Sequence, residues 1–355
     1  MSPHGSVDML EYRRRARAIA AAAVDAVPAA VLEAIRSAQR VWVVPHERPD
    51  ADALGAALGL REIVRRQGGN AEVVSADPAP SVYDVIPMIS EISLEPPAWQ
   101  PDTVVLVDCA DAQRTGRMAG VVDSLPPPTA RIIIDHHVSN SSDWPLAWIA
   151  PDAAATCELI ALLAVALDVD LSADGGALAT ALAAGLIMDT ANFQHGNTAP
   201  RALEVGGLLL AAGAPLSEVS RRIYRSKPLA QIRLHAQVLS SITSSDSGST
   251  VVATMTQDDL VAAGATAEMS EGIVDTLAQV AEADVAIFVK ADESSGCRVS
   301  VRTKGEGPKA TDVVAPFGGG GHARAAGASI GRPLAEAVAL VTAHVTELRA
   351  RTVSS

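Results

Sequence analysis

The stretch Arg131-Ile-Ile-Ile-Asp-His-His-Val138 decides the fold, because it leads a buried strand directly into an acid and two histidines. Three consecutive isoleucines are typical of an interior strand of a parallel sheet. A polar turn needs only one Asp to hydrogen-bond its own backbone, and two adjacent histidines add nothing to it. For this stretch alone, a polar turn and a functional site both remain open interpretations.

Size and composition limit what the stretch can belong to. The chain has 355 residues with 48% apolar content, which is enough for about two domains with a buried core. Aromatic residues make up only 3%, so the core must consist of Ala, Val, Leu and Ile, a composition that suits helices packed on sheets. Cys109, Cys157 and Cys297 share no CxxC spacing, which excludes a zinc ribbon and indicates a reducing compartment.

The N-terminus and the net charge bear on location and partners. Arg13 to Arg15 precede an Ala-rich segment, but Asp25 interrupts it, so a secretory signal is not favoured. No apolar run reaches the ~18 residues of a membrane span. We therefore expect a cytoplasmic protein without a membrane partner. The net charge of −13 argues against a protein that coats long nucleic acid, and leaves room for a short anionic substrate.

Strand and helix patterns alternate along the first half of the chain. Apolar segments at residues 41–44, 103–107 and 131–134 predict strands of a buried parallel sheet. A helical pattern at residues 53–67, closed by two glycines, is followed by a short strand near residues 71–75. This order predicts an α/β domain with helices flanking a parallel sheet, in which ligands bind beyond the carboxyl ends of the strands.

Acids and histidines follow the predicted segments where each of them ends. Three segments are strands, and the fourth is an apolar helical segment at residues 176–188. Together they bring polar groups to one edge of one sheet. These groups are His46, Asp50, Asp52, Asp108, Asp135, His136, His137 and Asp189.

Four aspartates in one crevice need compensating cations. Asp50, Asp52, Asp108 and Asp189 would repel one another strongly if all were ionised, whereas two divalent ions would balance their charge. Mixed His and Asp ligands favour Mn²⁺ over Mg²⁺, which prefers oxygen ligands and waters; Mg²⁺ and Co²⁺ are the alternatives. The other interpretation, four unrelated acidic loops, requires a coincidence at four separate segments.

The C-terminal third contains a glycine-rich segment that suits an anion. Gly318, Gly319, Gly320 and Gly321 permit close backbone approach, so that N–H groups can face a phosphate. His322 and Arg302 would add charge-assisted donors. Four glycines alone are more often a flexible turn, but together with the upstream acids and histidines they predict a phosphate clamp.

These motifs, in this order, resemble a known family. His46-x-x-Pro49-Asp50-x-Asp52-x-x-Gly55, Val107-Asp108, Asp135-His136-His137 and Asp189-Thr190 resemble the four motifs of the DHH phosphoesterases. Residues 300–304 and 317–327 resemble the DHHA1 substrate-binding domain. The fold expected from this resemblance is an α/β DHH domain, a helical connector and a smaller C-terminal α/β DHHA1 domain. The corresponding boundaries are a helical extension at 1–35, the DHH domain at 36–210, the connector at 211–229 and the DHHA1 domain at 230–355.

The resemblance also implies a role for each matching residue. One metal would be held by His46, Asp50 and Asp108, and the other by Asp52, Asp108, His136 and Asp189. Asp135 would orient a neighbouring ligand, and His137 would face the scissile phosphate. The implied substrate contacts are Arg302, Lys304, Gly318, Gly319, Gly320, Gly321 and His322.

Departures from the family pattern are few. Ala51 stands where Gly is common and Ala56 where Ser is frequent, and neither side chain is a metal ligand. Gln194 and His195 occupy places often held by Arg and an aromatic residue. This puts one substrate contact in doubt, although His195 can itself stack on a base.

Length and ending match the nanoRNase class of the family. The chain has no room for the extra domains of the processive exonucleases, and it lacks the lysine-containing ending of the family II pyrophosphatases. The resemblance implies hydrolysis of very short RNA to 5′-mononucleotides, and of 3′-phosphoadenosine 5′-phosphate (pAp) to AMP. A cyclic or linear dinucleotide substrate, and a regulator that binds nucleotides without hydrolysis, are the alternatives. A homodimer is compatible with the resemblance, but no hydrophobic seam in the sequence requires one.

Overall fold

The computed structural model describes residues 9–138, 140, 142–245, 248–292, 296–305 and 307–353. The chain forms two compact units, Met1–Ser226 and Lys227–Ser355. The first eight residues of the predicted N-terminal extension lie outside the described residues. The finer division of the chain into four segments stays a prediction.

The first unit contains eight helices and five strands within the described residues. In chain order they are α1 (Met9–Ala26), α2 (Ala29–Ser37), β1 (Arg40–Pro45), α3 (Ala51–Arg66), β2 (Asn70–Val73), β3 (Thr103–Val107), α4 (Ala119–Asp123), β4 (Ala130–Asp135), β5 (Leu146–Ile149), α5 (Thr156–Ala166), α6 (Ala173–Asp189), α7 (Pro200–Ala211) and α8 (Leu216–Arg225). Short 3₁₀ turns at Ser81–Tyr83, Ile89–Glu91 and Ala112–Met118 complete the connections.

The five strands form a parallel sheet in the order β2-β1-β3-β4-β5. Every neighbouring pair is parallel, as in Val43 beside Val105 and Leu106 beside Ile133. The predicted α/β class with a parallel sheet is confirmed. The edge strand β5 was not predicted, because its apolar run is only four residues long; Trp148 is buried and the other three residues are half-buried.

Both faces of this sheet are covered. Val43, Val105 and Ile132 pack on the face that carries α3, α5 and α6, whereas Leu106 and Ile133 pack on the face that carries α4. Helix α1 contributes Tyr12, Ile19 and Ala23 to the same core as α3. Double coverage explains why the strands are continuous apolar runs instead of alternating patterns.

Helices α3 and α6 approach each other closely enough to require glycine. A Cβ added at Gly55 would lie 2.4 Å from the carbonyl oxygen of Ala181. A Cβ added at Gly185 would lie 2.5 Å from the Oδ1 atom of Asp52. The carbonyl end of α6, at Asp189, is thereby held next to the start of α3.

In the described part of the chain, no single helix is long and apolar enough to cross a membrane. Helices α7 and α8 are bent by 111° relative to each other. Taken together, the two helices have the length and apolar composition of a membrane span.

The second unit is a smaller α/β unit. Its described elements are α9 (Leu229–Ser240), β6 (Thr243–Ser244), β7 (Thr250–Met255), α10 (Gln257–Ala263), α11 (Ile273–Leu277), β8 (Val285–Ala291), β9 (Cys297–Thr303), α12 (Ala310–Val314), β10 (Gly320–His322), β11 (Ala325–Ile330) and α13 (Leu334–Val353). Its sheet has the order β10-β11-β9-β8-β7-β6, and only β7 and β8 are parallel to each other.

Two segments of the second unit are strands although their own residues favour turns. Residues 240–249 are rich in Ser and contain Asp and Gly, but Thr243–Ser244 pairs with β7 as a short strand. In the glycine-rich segment, Gly320–His322 is an edge strand paired with β11. Pairing with another strand can hold a segment whose own residues favour turns.

Candidate metal centre

The strand order places the candidate ligands at one point of the first sheet. Strand β1 leads to β2 on one side, and the chain then returns to β3 on the other side of β1. In such sheets, the crevice beyond the carboxyl ends of the two strands at this reversal is the usual ligand site. His46 follows β1 directly, and Asp108 follows β3 directly.

One group of donors combines the ends of β1 and β3 with the start of α3. His46, Asp50 and Asp108 each offer a ligand atom, and these atoms all lie within 4.8 Å of one another. The Nε2 atom of His46 is 3.5 Å from Oδ2 of Asp108. Asp50 is also the N-cap of α3, since its Oδ1 atom accepts the backbone N–H groups of Asp52 and Ala53. Capping fixes the direction in which this carboxylate points.

A second group combines α3, α6 and the segment after β4. Asp52, His136 and Asp189 also offer ligand atoms within 4.8 Å of one another. The Nε2 atom of His136 is 3.0 Å from Asp189, 3.5 Å from Asp108 and 3.9 Å from Asp52. Three carboxylates therefore surround one ring nitrogen.

Asp108 joins the two groups. One of its oxygens faces His46 and the other faces His136. Its backbone φ of 54° lies in the left-handed region, which is uncommon for a residue other than glycine. Such strain clusters at functional sites, where the surrounding structure holds it in place. The buried Thr156 also donates its hydroxyl to Asp108 Oδ1 over 3.0 Å.

Asp52 is held by the N-terminus of α5. The backbone N–H of Thr156 donates to Oδ2 of Asp52 over 2.7 Å, and the N–H of Cys157 donates to Oδ1 over 2.9 Å. The first N–H groups of a helix have no partner within the helix, and the helix dipole favours an anion there. This end of α5 therefore stabilises a fully buried carboxylate.

The histidine that follows β4 has an arrangement that fits a metal ligand. The Nε2 atom of His136 is buried and has no hydrogen-bond partner in the described structure, although three carboxylates are near it. On the other side of the ring, Nδ1 lies 3.4 Å from the carbonyl oxygen of Ala153. A ring held at Nδ1 with Nε2 aimed at carboxylates is the usual arrangement of a metal-ligating histidine. The residues present thus fit a divalent metal.

His137 forms a third possible ligand group with Asp108 and His136, but its nearest partner is Asp135. Its Nδ1 atom lies 2.8 Å from Oδ1 of the fully buried Asp135, and Asn140 donates to the other oxygen of that carboxylate over 2.6 Å. The hydrogen bond to Asp135 raises the pKa of His137, against the opposing effect of burial. Asp135 therefore orients His137 and stabilises its protonated form.

Without metal, the carboxylates of the cluster compete for protons. Burial and the charges of Asp108 and Asp189 raise the pKa of Asp50 to about 6, and the same causes raise the pKa of Asp52 well above its ordinary value. Burial alone would also raise the pKa of Asp108, but hydrogen bonding to His46 and the charge of His136 lower it. The shared carboxylate thus stays ionised while its neighbours take up protons.

The histidines of the cluster also retain protons in the metal-free protein. Burial opposes protonation, but Asp108 raises the pKa of His46 to about 9, and Asp189, Asp52 and Asp108 raise the pKa of His136 to about 10. Because ligation requires neutral histidines, metal binding must displace these protons. Metal affinity therefore falls as the pH is lowered.

Comparison with known proteins agrees with this geometry. The family model described as DHH family, N-terminal domain, matches residues 40–186, and the DHHA1 domain matches residues 247–348. A bifunctional oligoribonuclease and PAP phosphatase NrnA from Thermus thermophilus is 34% identical over 302 residues, which cover 85% of this chain and 87% of that protein. The chain belongs to the DHH family of phosphoesterases.

Other relatives of this DHH phosphoesterase extend the comparison. The protein of the same name from Bacillus subtilis is 27% identical over 80% of this chain and 87% of its own length. A cyclic-di-AMP phosphodiesterase PdeA from Listeria monocytogenes is 25% identical over 90% of this chain, but over only 48% of its own length. The crystal structure of an exopolyphosphatase-related protein from Bacteroides fragilis has a TM-score of 0.83 at 22% identity, covering 92% of this chain and 96% of that one. The last comparison shows the fold alone.

The predicted substrate residues of this DHH phosphoesterase are distributed over both units. In the first unit, the Nδ1 atom of His195 is 3.2 Å from the carbonyl oxygen of Asp189, which places its ring next to the second ligand group. In the second unit, Arg302 and Gly318 to Gly321 line a cavity of about 580 Å³ on one face of the sheet.

Lys304 and His322 are not among the lining residues of that cavity. The ammonium of Lys304 donates to the carbonyl oxygens of Ala278 and Val280, just after α11, over 3.1 and 2.6 Å. Lys304 therefore has a structural contact that its place in the motif did not indicate. His322 ends the edge strand β10 with its side chain exposed.

Sequence reasoning missed the residues that hold the ligands. Thr156 and Cys157 support Asp52 and Asp108 from α5, and Asn140 supports Asp135. Asn197 donates to the carbonyl oxygens of Ala154 and Asp189. Asn140 could have been found as an amide close behind the His pair, whereas Thr156 lies far from its partners in sequence and carries no local signal.

We predict that Thr156→Val weakens metal binding. Valine has nearly the same shape but no hydroxyl, so Asp108 loses a buried donor while α5 keeps its backbone contacts to Asp52. Loss of such a supporting contact costs about 10- to 100-fold in metal affinity. Titration with Mn²⁺ measures the effect, and Thr156→Ser, which retains the hydroxyl, is the matched control. Equal affinities for the Val variant and the wild type would show that this hydroxyl has no role at the metal centre.

Proposed function

We propose that the protein hydrolyses RNAs of two to a few nucleotides to 5′-mononucleotides, and pAp to AMP and phosphate. The observation that carries the proposal is the convergence of six donors into two groups joined by Asp108. Two groups sharing one carboxylate suit a pair of ions acting on one phosphoryl group. The relatives named as bifunctional oligoribonucleases and PAP phosphatases match along most of their length and support the choice of substrate.

The proposed metal assignment follows the two groups. One ion would be held by His46, Asp50 and Asp108. The other would be held by Asp52, Asp108, His136 and Asp189. When bound, divalent ions in such a pair polarise the phosphoryl oxygens and neutralise the charge that develops during displacement. The mixture of nitrogen and oxygen donors favours Mn²⁺, with Mg²⁺ and Co²⁺ as alternatives.

We propose that His137 is the general acid. Its Nδ1–H donates to Asp135, so the proton that can be given to a leaving oxygen is the one on Nε2. The hydrogen bond to Asp135 raises the pKa of His137, which favours the protonated ring. The ring is about one-third exposed, so a substrate can reach it. Asp135 acts only through His137, as a positioning residue.

We propose that residues outside the metal centre bind the base and the non-scissile phosphate of the nucleotide. The exposed His195 is next to Asp189 and can stack on a base. In the second unit, Arg302 and the backbone of Gly318 to Gly321 are proposed to hold a phosphate. We do not extend this role to Lys304, because its ammonium already has two carbonyl partners.

The proposed partners are short single-stranded RNA and small nucleotides. A net charge of −13 opposes a track for long nucleic acid, while a few local cations suffice for a short substrate. Cytoplasmic location, independence of membranes and a homodimeric state stay predictions.

Product analysis tests the function. Purified protein with Mn²⁺ is incubated with 5′-phosphorylated RNAs of graded length, and with pAp and cyclic di-AMP in parallel. We expect turnover on pAp and on the shortest RNAs, with mononucleotide products and complete loss on addition of a chelator. Asp108→Ala should abolish turnover, since it removes the carboxylate shared by both groups. Normal turnover by that variant would contradict the metal assignment.

The same assay separates the alternative functions. Preferential cleavage of cyclic di-AMP would replace the proposed substrates with cyclic dinucleotides, the substrate named for the Listeria monocytogenes relative. Metal binding and nucleotide binding without turnover on any substrate would indicate a regulator. The complete donor set argues against a regulator, because binding alone needs no two-metal centre.

We predict that Asp135→Asn shifts the pH dependence of turnover. If protonated His137 is the acid, activity is lost as the pH rises through its pKa. Asparagine keeps an acceptor but removes the charge, so the pKa of His137 falls and the alkaline limb of the kcat profile moves to lower pH. The exposed Asp84→Asn is the control. An alkaline limb at the wild-type position in Asp135→Asn would exclude His137 as the acid.

A further inference from the structure

One face of the second sheet is uncovered only across β9, β11 and β10, where it carries three rows of side chains. Along β9, Arg298, Ser300 and Arg302 are at least partly exposed, whereas the residues between them are buried. Directly paired residues on neighbouring antiparallel strands point to the same face. The pairing of β10 and β11 with β9 therefore extends these residues into rows. On β8 the three rows end at Ala286, Phe288 and Lys290, of which Ala286 and Phe288 are buried in a core shared with α9 and α11.

Each row has its own chemistry. The first, the Arg302 row, contains His322, Ala325 and Arg302. The second, the glycine row, contains Gly320, Gly327 and Ser300. The third, the Arg298 row, contains Ser329, Arg298 and Lys290. Two cationic rows thus flank a row of very small residues.

The cavity spans all three rows. Its lining includes Arg302, Ser300 and Arg298, with Gly327 and Ser329 on the neighbouring strand. A volume of about 580 Å³ lies within the range of small-molecule sites. Because Gly320 and Gly327 have no side chains, a flat ring can lie directly on the backbone of β10 and β11 between the two cationic rows.

The two arginines differ in their partners. Arg302 donates to Asp275 over 2.7 Å, so its charge is partly neutralised. Arg298 is exposed, and among the described residues it makes no ion pair or side-chain hydrogen bond. Its cross-strand neighbour Lys290 turns to the hydroxyl of Ser270 over 3.3 Å. Burial and the charge of Arg298 lower the pKa of Lys290, whereas the charges of Glu271 and Glu268 raise it.

We propose that Arg298 binds a second non-scissile phosphate and thereby sets the length of RNA that the enzyme prefers. This inference rests on the proposed function. The Arg302 row holds the first non-scissile phosphate, a nucleoside lies over the glycine row, and Arg298 takes the next phosphate. The Cα atoms of Arg298 and Arg302 are four residues apart on one strand, or ~13 Å, which leaves room for a nucleoside between them.

The number of phosphates decides which substrates use Arg298. A 5′-phosphorylated dinucleotide and pAp each have two phosphates, of which one is cleaved and one remains for the Arg302 row. A 5′-phosphorylated trinucleotide has one phosphate more. Only the trinucleotide can therefore engage Arg298, and it should bind more tightly than the dinucleotide.

Steady-state kinetics of the full-length, Mn²⁺-loaded enzyme test the inference. Arg298→Ala should raise the KM of the 5′-phosphorylated trinucleotide about tenfold, the usual effect of losing a charge-assisted hydrogen bond. Its kcat, and the KM values for the dinucleotide and pAp, should stay unchanged. Arg298→Lys should restore part of the lost affinity, because it keeps the charge.

Three results would overturn the inference. Equal KM values of the wild type for the dinucleotide and the trinucleotide would show that the extra phosphate has no contact. Equal KM increases for all three substrates would place Arg298 on the same phosphate as Arg302. A trinucleotide KM unaffected by Arg298→Ala would remove Arg298 from recognition.

A matched control separates local from general effects. Arg332, after β11, is another exposed arginine of the same unit and does not line the cavity. Arg332→Ala should leave every KM unchanged.

If the wild type hydrolyses none of the three substrates, the proposed function fails. Calorimetric binding of the dinucleotide and the trinucleotide to the wild type and to Arg298→Ala then still tests the length preference separately.

Discussion

The repulsion among four aspartate carboxylates at one edge of the parallel sheet is the constraint on which the structure of the first unit depends. Asp50, Asp52, Asp108 and Asp189 can share this edge only because other groups oppose their charge. The N-terminus of α5 supplies two N–H groups, and histidines flank Asp108. The raised pKa of Asp52 shows that this compensation is incomplete without cations. The fold thus builds a site whose donors and charge fit divalent cations.

Much of this site could be predicted because three of its candidate ligands, His46, Asp108 and His136, directly follow strands of the sheet. Apolar runs identified the strands, and parallel strands bring their carboxyl ends to one edge, so His46, Asp108 and His136 could be placed together from sequence alone. Thr156 could not, because its contact with Asp108 joins residues 48 positions apart. Strand β5 was missed for a related reason, since the hydrogen bonds that define an edge strand come from its neighbour.

The second unit shows which contacts a sequence motif can predict and which it cannot. The alternation of β9 is visible in its sequence, but the partners of its basic residues are not. Arg302 lines the cavity, whereas Lys304, two positions later, donates to backbone carbonyls. Arg298 belongs to no motif. Its position beside Ser329 and Lys290 is known only from the register of β9 with β11 and β8. The candidate metal ligands thus lie in the first unit, whereas the cavity lined by arginines and glycine backbone lies in the second.

Metal stoichiometry tests the central claim most directly. Isothermal titration of the metal-free protein with Mn²⁺ should give two ions per chain, because the donors form two groups that share Asp108. A folded protein that binds no ion, or that saturates with a single ion at the pH of full activity, would contradict a two-metal centre.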